Sequence, residues 1–388
     1  MKKIILSLLG LVLMFGLVGF VSASSIYTAF VDQGIVVTPN TGERAYYPSV
    51  IFDGTNYFMV YDNKTAEGYV GNYATSDDGV NWVLGGSISG VKDNNHSYHT
   101  VMLYNSDGFG GGYNYKIWYL DLNAAVSHGS GSIRYAESND GINWVNDQAV
   151  FGGNMIVYGD DNVDAPARTW GPGTVIYNPN ATNEGDNPLN YSYVMYYDGY
   201  NGITDDLDWD NTEALFLAYS VDGIHWQRYT RSPVLKGSLT GGWDATCVGY
   251  PTIMKLEDGS YIMWYSGGSA CNEGIGFATS SDGINWTKDE DNPMFYKSDV
   301  TDPKGYRAER TYTPRVIDDG SGELKMYYSA KSDTGVYAVG LATLELPMPT
   351  KSGILKDSGV PGKGLDTAPG LQKPFNPNSQ AAEHAGKK

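Results

Sequence analysis

Five short segments bring together the residue types that could do chemistry: Glu43-Arg44-Ala45-Tyr46-Tyr47, His96-Ser97-Tyr98-His99, Arg168-Thr169-Trp170, Gly249-Tyr250 and Arg310-Thr311-Tyr312. A tyrosine or tryptophan face can stack on the C–H face of a sugar while its hydroxyl or indole N–H bonds to sugar hydroxyls; the same rings can also serve as packing. Arginine adds a planar fork that binds carboxylate or sulfate in two parallel hydrogen bonds. The chain has only eight arginines, yet Arg44, Arg168, Arg307, Arg310 and Arg315 lie in or close to these segments, where they could face a ligand or neutralise local acids. Carboxylates stand just upstream of each segment or at its start: Glu43, Asp93, Asp164, Asp244 and Glu309. Asp164 and Glu309 are the candidates for acid and base catalysis; the alternative is a set of loop acids that satisfy backbone amides. His99 could donate a proton or a hydrogen bond.

Two further clusters carry chemistry. Asp206, Asp208 and Asp210 gather oxygen ligands that suit calcium, without the glycine and spacing of an EF-hand; a solvated acidic loop is the other reading, and no other cofactor is expected. Cys247 and Cys271 are the only cysteines and are expected to form a disulfide, because two thiols alone make no zinc site.

The elements that position these residues are set by a repeat. Ser76-Asp77-Asp78-Gly79-Val80-Asn81-Trp82 recurs at 138–144, 220–226 and 280–286 as Ser-x-Asp-Gly-x-x-Trp, a turn in which Asp accepts amide hydrogens, Gly takes positive φ and Trp packs on a neighbouring strand. Strand-like segments precede each turn, the middle ones being 56–62, 115–121, 191–198 and 260–266. A fifth set, 314–317, 324–330 and 337–343, lacks the turn and its following strand, which 34–38 can supply. The expected fold is all-β: a five-bladed β-propeller of four-stranded antiparallel blades, closed by the N-terminal strand, across residues 24–346. Residues 347–388, rich in Pro, Gly and Lys, read as a disordered tail.

Met1 to Ala23 carries Lys2 and Lys3, an apolar run and Val21-Ser22-Ala23, so a signal peptide and export are expected over an uncleaved anchor. A net charge of -18 and a pI near 4.5 argue against nucleic acid as a partner.

The order Pro-x-Val, aromatic strand, third strand and Ser-x-Asp-Gly-x-x-Trp resembles the five-bladed propellers of family 43 and family 32 glycoside hydrolases, over about residues 34 to 346. That resemblance implies catalytic carboxylates at the starts of three inner strands, where this chain has Tyr47, Thr100 and Trp170. Glycoside cleavage needs two carboxyl groups, so the resemblance implies a fold and leaves the mechanism to displaced acids or to none. The expected function is an extracellular propeller that binds a polysaccharide or oligosaccharide, an acidic one on the arginine count, with hydrolysis left open. The alternative is a noncatalytic surface or matrix protein whose propeller makes protein contacts.

Overall fold

A computed structural model of the protein describes residues 27–66, 68–92, 97–121, 132–152, 168–200, 213–238, 241–298 and 305–346. The expected signal peptide and C-terminal tail lie outside them.

After an opening strand β1 (Val31–Val37), the chain runs through five antiparallel sheets. Blade 1 is β2 (Arg44–Phe52), β3 (Tyr57–Lys64), β4 (Tyr69–Ser76) and β5 (Val83–Ser87); blade 2 is β6 (Ser97–Tyr104), β7 (Tyr115–Asp121), β8 (Ser132–Ser138) and β9 (Val145–Gly152). Blade 3 is β10 (Arg168–Tyr177), β11 (Tyr193–Tyr200), β12 (Glu213–Ser220) and β13 (Trp226–Arg228). Blade 4 is β14 (Val248–Lys255), β15 (Tyr261–Gly267), β16 (Gly274–Ser280) and β17 (Thr287–Lys288), with β18 (Phe295–Tyr296) also on β16. Blade 5 is β19 (Arg310–Asp318), β20 (Glu323–Lys331) and β21 (Tyr337–Glu345), and β1 pairs antiparallel with β21 as its fourth strand. The five-bladed propeller and its N-terminal closure are therefore as the repeat implied.

The middle strands are apolar on both faces because each sheet is sandwiched between two others. One core joins Trp118 and Tyr135 of blade 2 to Tyr193, Met195 and Phe216 of blade 3; another joins Tyr57 and Met59 of blade 1 to Tyr327 and Leu341 of blade 5. Fully burying one such side chain contributes roughly 1.5–3 kcal/mol, so the blades are held mainly by their flat faces.

The repeated turns add directional locks. In each, the serine Oγ accepts from the glycine N–H, the aspartate accepts two backbone amides, and the tryptophan Nε1–H donates back to the glycine carbonyl. The glycine takes φ between 72° and 80°, a conformation that only glycine adopts freely. Three of those carbonyls also receive a bond from a ring of the preceding blade: Tyr327 Oη to Gly79 at 2.7 Å, Trp118 Nε1 to Gly223 at 2.9 Å and Tyr196 Oη to Gly283 at 2.6 Å. Blade 5 has no such turn, and there Trp264 Nε1 donates to the Tyr27 carbonyl at 3.0 Å instead. The N-terminal segment thus supplies both the missing strand and the missing lock.

Candidate functional site

Each inner strand breaks register near its start: between Tyr46 and Ser49, Tyr98 and Val101, Pro172 and Thr174, Gly249 and Thr252, and Tyr312 and Arg315. In four of them a non-glycine residue at the break has positive φ: Tyr47 (52°), His99 (59°), Tyr250 (50°) and Thr313 (53°). Holding bulky residues there costs of order 1–3 kcal/mol each, and persists only where surrounding contacts impose it. The contact is the same each time: the exposed N–H of the bulge residue is taken up by the second strand of the preceding blade. Tyr47 N donates to Ser329 Oγ (2.8 Å), His99 N to Asp62 Oδ2 (3.2 Å), Tyr250 N to Asp198 Oδ1 (2.9 Å) and Thr313 N to Ser266 Oγ (2.7 Å). In blade 3 the break falls at Pro172, which has no N–H, and the facing position of blade 2 holds Leu120. Donor and acceptor are absent together.

The bulges bring rings from separate blades to one mouth. Tyr47 lies 4.1 Å from the His99 ring, 5.6 Å from Tyr250 and 5.6 Å from Tyr312, and His99 lies 4.7 Å from Tyr250. Tyr46 packs edge-on to Tyr47 at 5.0 Å and to Tyr69 at 6.1 Å. Tyr46, His99, Tyr250 and Tyr312 are buried as a floor, while Tyr47 and Tyr69 stay partly open. On the rim, Arg44 sits 4.8 Å over the Tyr337 ring, with Arg310 at 5.6 Å and Lys331 at 5.5 Å from the same ring. Lys331 pairs with Glu309, whereas Arg44 and Arg310 meet no carboxylate among the described residues. Among the described residues, then, Glu43 does not neutralise Arg44: it accepts from Asn40 and Asn63.

Other expected residues lie elsewhere. Arg307 is wholly buried, paired with Asp32 at 2.9 Å across the β1 seam and stacked 4.0 Å over Phe295, so it belongs to closure and not to the mouth. Asp244 is spent inside blade 4 on Lys288, Ser238 and Tyr265. Glu309 is exposed on the rim beside Lys331. Asp93, Asp164, Asp206, Asp208 and Asp210, and the side chains of Tyr98, Arg168 and Trp170, fall outside what the structure describes. Cys247 and Cys271 form a disulfide with a Cα–Cα distance of 5.0 Å.

Three carboxyls that the sequence reading did not place at the mouth stand out: Asp62, Asp198 and Glu213, the last read only as the end of the acidic calcium loop. All are buried, and loss of solvent pushes each well above the usual carboxylate range, with one backbone N–H pulling back at Asp62 and at Asp198. Asp198 and Glu213 crowd the Cα of Gly249, where an added methyl would lie 3.3 Å from Glu213 Oε1 and 3.5 Å from Asp198 Cγ. Glu213 Oε2 is 2.9 Å from Cys247 Sγ. A disulfide sulfur has no proton to give, so that contact is favourable only when Glu213 carries one, in agreement with its raised pKa. For two of these acids the signal was in the sequence: aromatic segments ending in Asp62, Asp121 and Asp198. Asp121 differs, with Lys92 at 2.5 Å as its counter-charge.

A larger cavity, about 330 Å³, lies at the opposite end between blades 3 and 4, beside Ile176, Leu189, Lys255 and Tyr261. It gathers neither the aromatic cluster nor the displaced carboxyls, and the mouth is the stronger site.

Residues 109–309 match the sequence profile of the glycosyl hydrolases family 32 N-terminal domain. Among curated proteins, the "uncharacterized protein Rv1502" of Mycobacterium tuberculosis is 26% identical over 174 residues, 43% of this chain and 52% of that protein. The chain thus spans about half the length of the curated relatives it matches. Among solved structures, one described as a glycoside hydrolase aligns with a TM-score of 0.61 at 21% identity, covering 84% of this chain and 95% of the other. One described as a complex of BT0996 with RGII gives 0.63 at 20% over 84% and 95%, and a thermostable family-43 glycoside hydrolase 0.55 at 16% over 84% and 98%. At these identities the structural likeness speaks for the fold.

Proposed function

The chain belongs to the glycosyl hydrolases family 32 N-terminal domain family, and from that premise we propose that it is an exported propeller that binds an acidic polysaccharide at the funnel mouth. One observation carries the reading: two rim guanidiniums, Arg44 and Arg310, meet no carboxylate among the described residues and stand beside an aromatic floor, in a chain of net charge -18. Tyr47 and Tyr69 would stack on sugar rings, and the arginine forks would take a uronate or sulfate. Export rests on the N-terminal 23 residues, and surface attachment, if the tail provides it, on residues 347–388.

Titration calorimetry with uronate-bearing and neutral oligosaccharides of equal length tests this. The acidic ligand is expected to bind about tenfold or more tightly, and Arg44→Gln or Arg310→Gln to remove most of that preference. Equal affinity for both ligands would refute the acidic preference. Self-association with no glycan affinity would favour the protein-contact role. Intact mass of exported protein beginning at Ser24 tests the leader.

A second reading, hydrolysis, is favoured by the Asp198–Glu213 pair, since cleavage needs one carboxyl that keeps a proton and another that is ionised. A polysaccharide panel would reveal turnover. Loss of turnover in Glu213→Gln, with Asp164→Asn and Glu309→Gln retaining it, would assign the chemistry to the buried pair; loss in the latter two would return it to the loop acids.

A further inference from the structure

Below the aromatic mouth the channel narrows to a cavity of about 20 Å³, lined by Tyr47, His99, Gly173, Tyr250, Thr313 and Arg315 among others. A space of that size holds one water or one monatomic ion. Arg315 follows the blade 5 bulge and is 5% exposed. Its Nη2 crosses the channel to donate to the Gly173 carbonyl of blade 3 at 3.3 Å, while Nε and Nη1 have no partner among the described residues. The residues at the same level on the other inner strands bring no acid: they are Ser49, Val101, Thr174 and Thr252. Their hydroxyls are already engaged, Ser49 accepting from Met102 N, Thr174 donating to the Pro251 carbonyl and Thr252 to the Pro314 carbonyl.

A buried guanidinium without a counter-charge is expensive, by several kcal/mol for an ion taken from water. Burial lowers the Arg315 pKa to about 10, which leaves it charged at neutral pH. The charge therefore requires compensation that the described residues do not provide. We propose that the channel cavity binds one small monovalent anion of the halide class, held by the Nε–H and Nη1–H of Arg315. Sulfate or a sugar carboxylate is too large for the cavity, so this site is distinct from the rim arginines and does not depend on glycan binding.

The test uses the full chain at constant ionic strength, with sodium gluconate replaced stepwise by sodium chloride or bromide. A saturable rise in Tm of about 2 °C or more is expected with either halide, and Arg315→Leu should abolish it. A flat response, or an equal rise in the variant, overturns the proposal. Crystals grown with sodium bromide give a second readout that does not need the variant to fold. An anomalous bromine peak in contact with Arg315 supports the site, and a water in the cavity with no such peak refutes it.

Discussion

The acids of the repeated turns and the acids beneath the mouth are the same kind of group driven in opposite directions. Burial raises the Asp140, Asp222 and Asp282 pKa values, but two backbone amides, the turn's Asn or His side chain and a serine hydroxyl outweigh it and bring each down to about 2. Asp78 moves the same way, led by the Asn81 amide. Asp62 and Asp198 each have one backbone N–H and full burial, and Glu213 has a sulfur and a neighbouring carboxyl, so desolvation wins. The balance of burial against donors, and not position in the repeat, sets the direction in which an acid of this propeller is shifted. The turn acids are architectural, and the mouth acids are the ones able to hold a proton.

The largest expected effect comes from the covalent bond beside that second group. Converting Cys247 and Cys271 together to Ala opens a loop of sequence separation 24 and should cost about 3 kcal/mol, read by urea unfolding. It also removes the sulfur that accepts from Glu213.

The bulge geometry gives the next. Asp198→Ala leaves the buried Tyr250 N–H without an acceptor and should cost about 1–3 kcal/mol, whereas Asp198→Asn keeps an acceptor and should cost much less. Pro172→Ala creates a new N–H facing Leu120 and should cost a similar amount, with partial recovery in Pro172→Ala plus Leu120→Asn. Equal destabilisation by Ala and Asn at position 198 would break the comparison, because it would show that the charge and not the acceptor matters there.

The two groups of acids also predict opposite pH slopes. A carboxyl whose folded pKa is raised binds its proton more tightly when folded, so its stabilisation is present below the unfolded value near 4 and is lost as pH rises through the folded value. Tm should therefore decline as pH rises above about 4, and Asp198→Asn or Glu213→Gln should flatten that decline. The turn acids, depressed to about 2, stabilise above the unfolded value and lose that contribution as pH falls from about 4 to about 2. Asp140→Asn or Asp282→Asn should flatten the limb below about pH 4 and leave the decline above it unchanged.

The smallest effect is a single turn. Asp282→Ala removes the acceptor for Ile284 N and Asn285 N near solvent, and should cost about 1 kcal/mol by thermal unfolding. A much greater loss would mean that the turns are coupled around the ring through the Tyr196 lock on Gly283.

The repeat and its aromatic strands carried the fold into the sequence openly, because a turn that needs Asp, Gly and Trp at fixed spacing leaves those letters behind four times. The N-terminal closing strand was legible for the same reason: a fifth set of strands was one short. The mouth aromatics were legible as strand starts, although nothing in their letters announced the positive φ of Tyr47, His99, Tyr250 and Thr313. Arg307 was misplaced, since proximity to an inner strand along the chain does not say which side of the blade a side chain takes; its partner Asp32 is 275 residues away. Asp198 and Glu213 were not assigned to the mouth because neither sits on an inner strand.

The sequence by itself determined the local grammar: strand, turn, blade count and the order in which the blades follow. Those follow from side-chain period and turn chemistry over a few residues, where the chain is its own context. Only the tertiary structure decided which charges go unanswered. Whether Arg315 is paired, or Glu213 protonated, depends on groups brought from other strands and blades and on the exclusion of water between them, and neither quantity has a value until the ring closes.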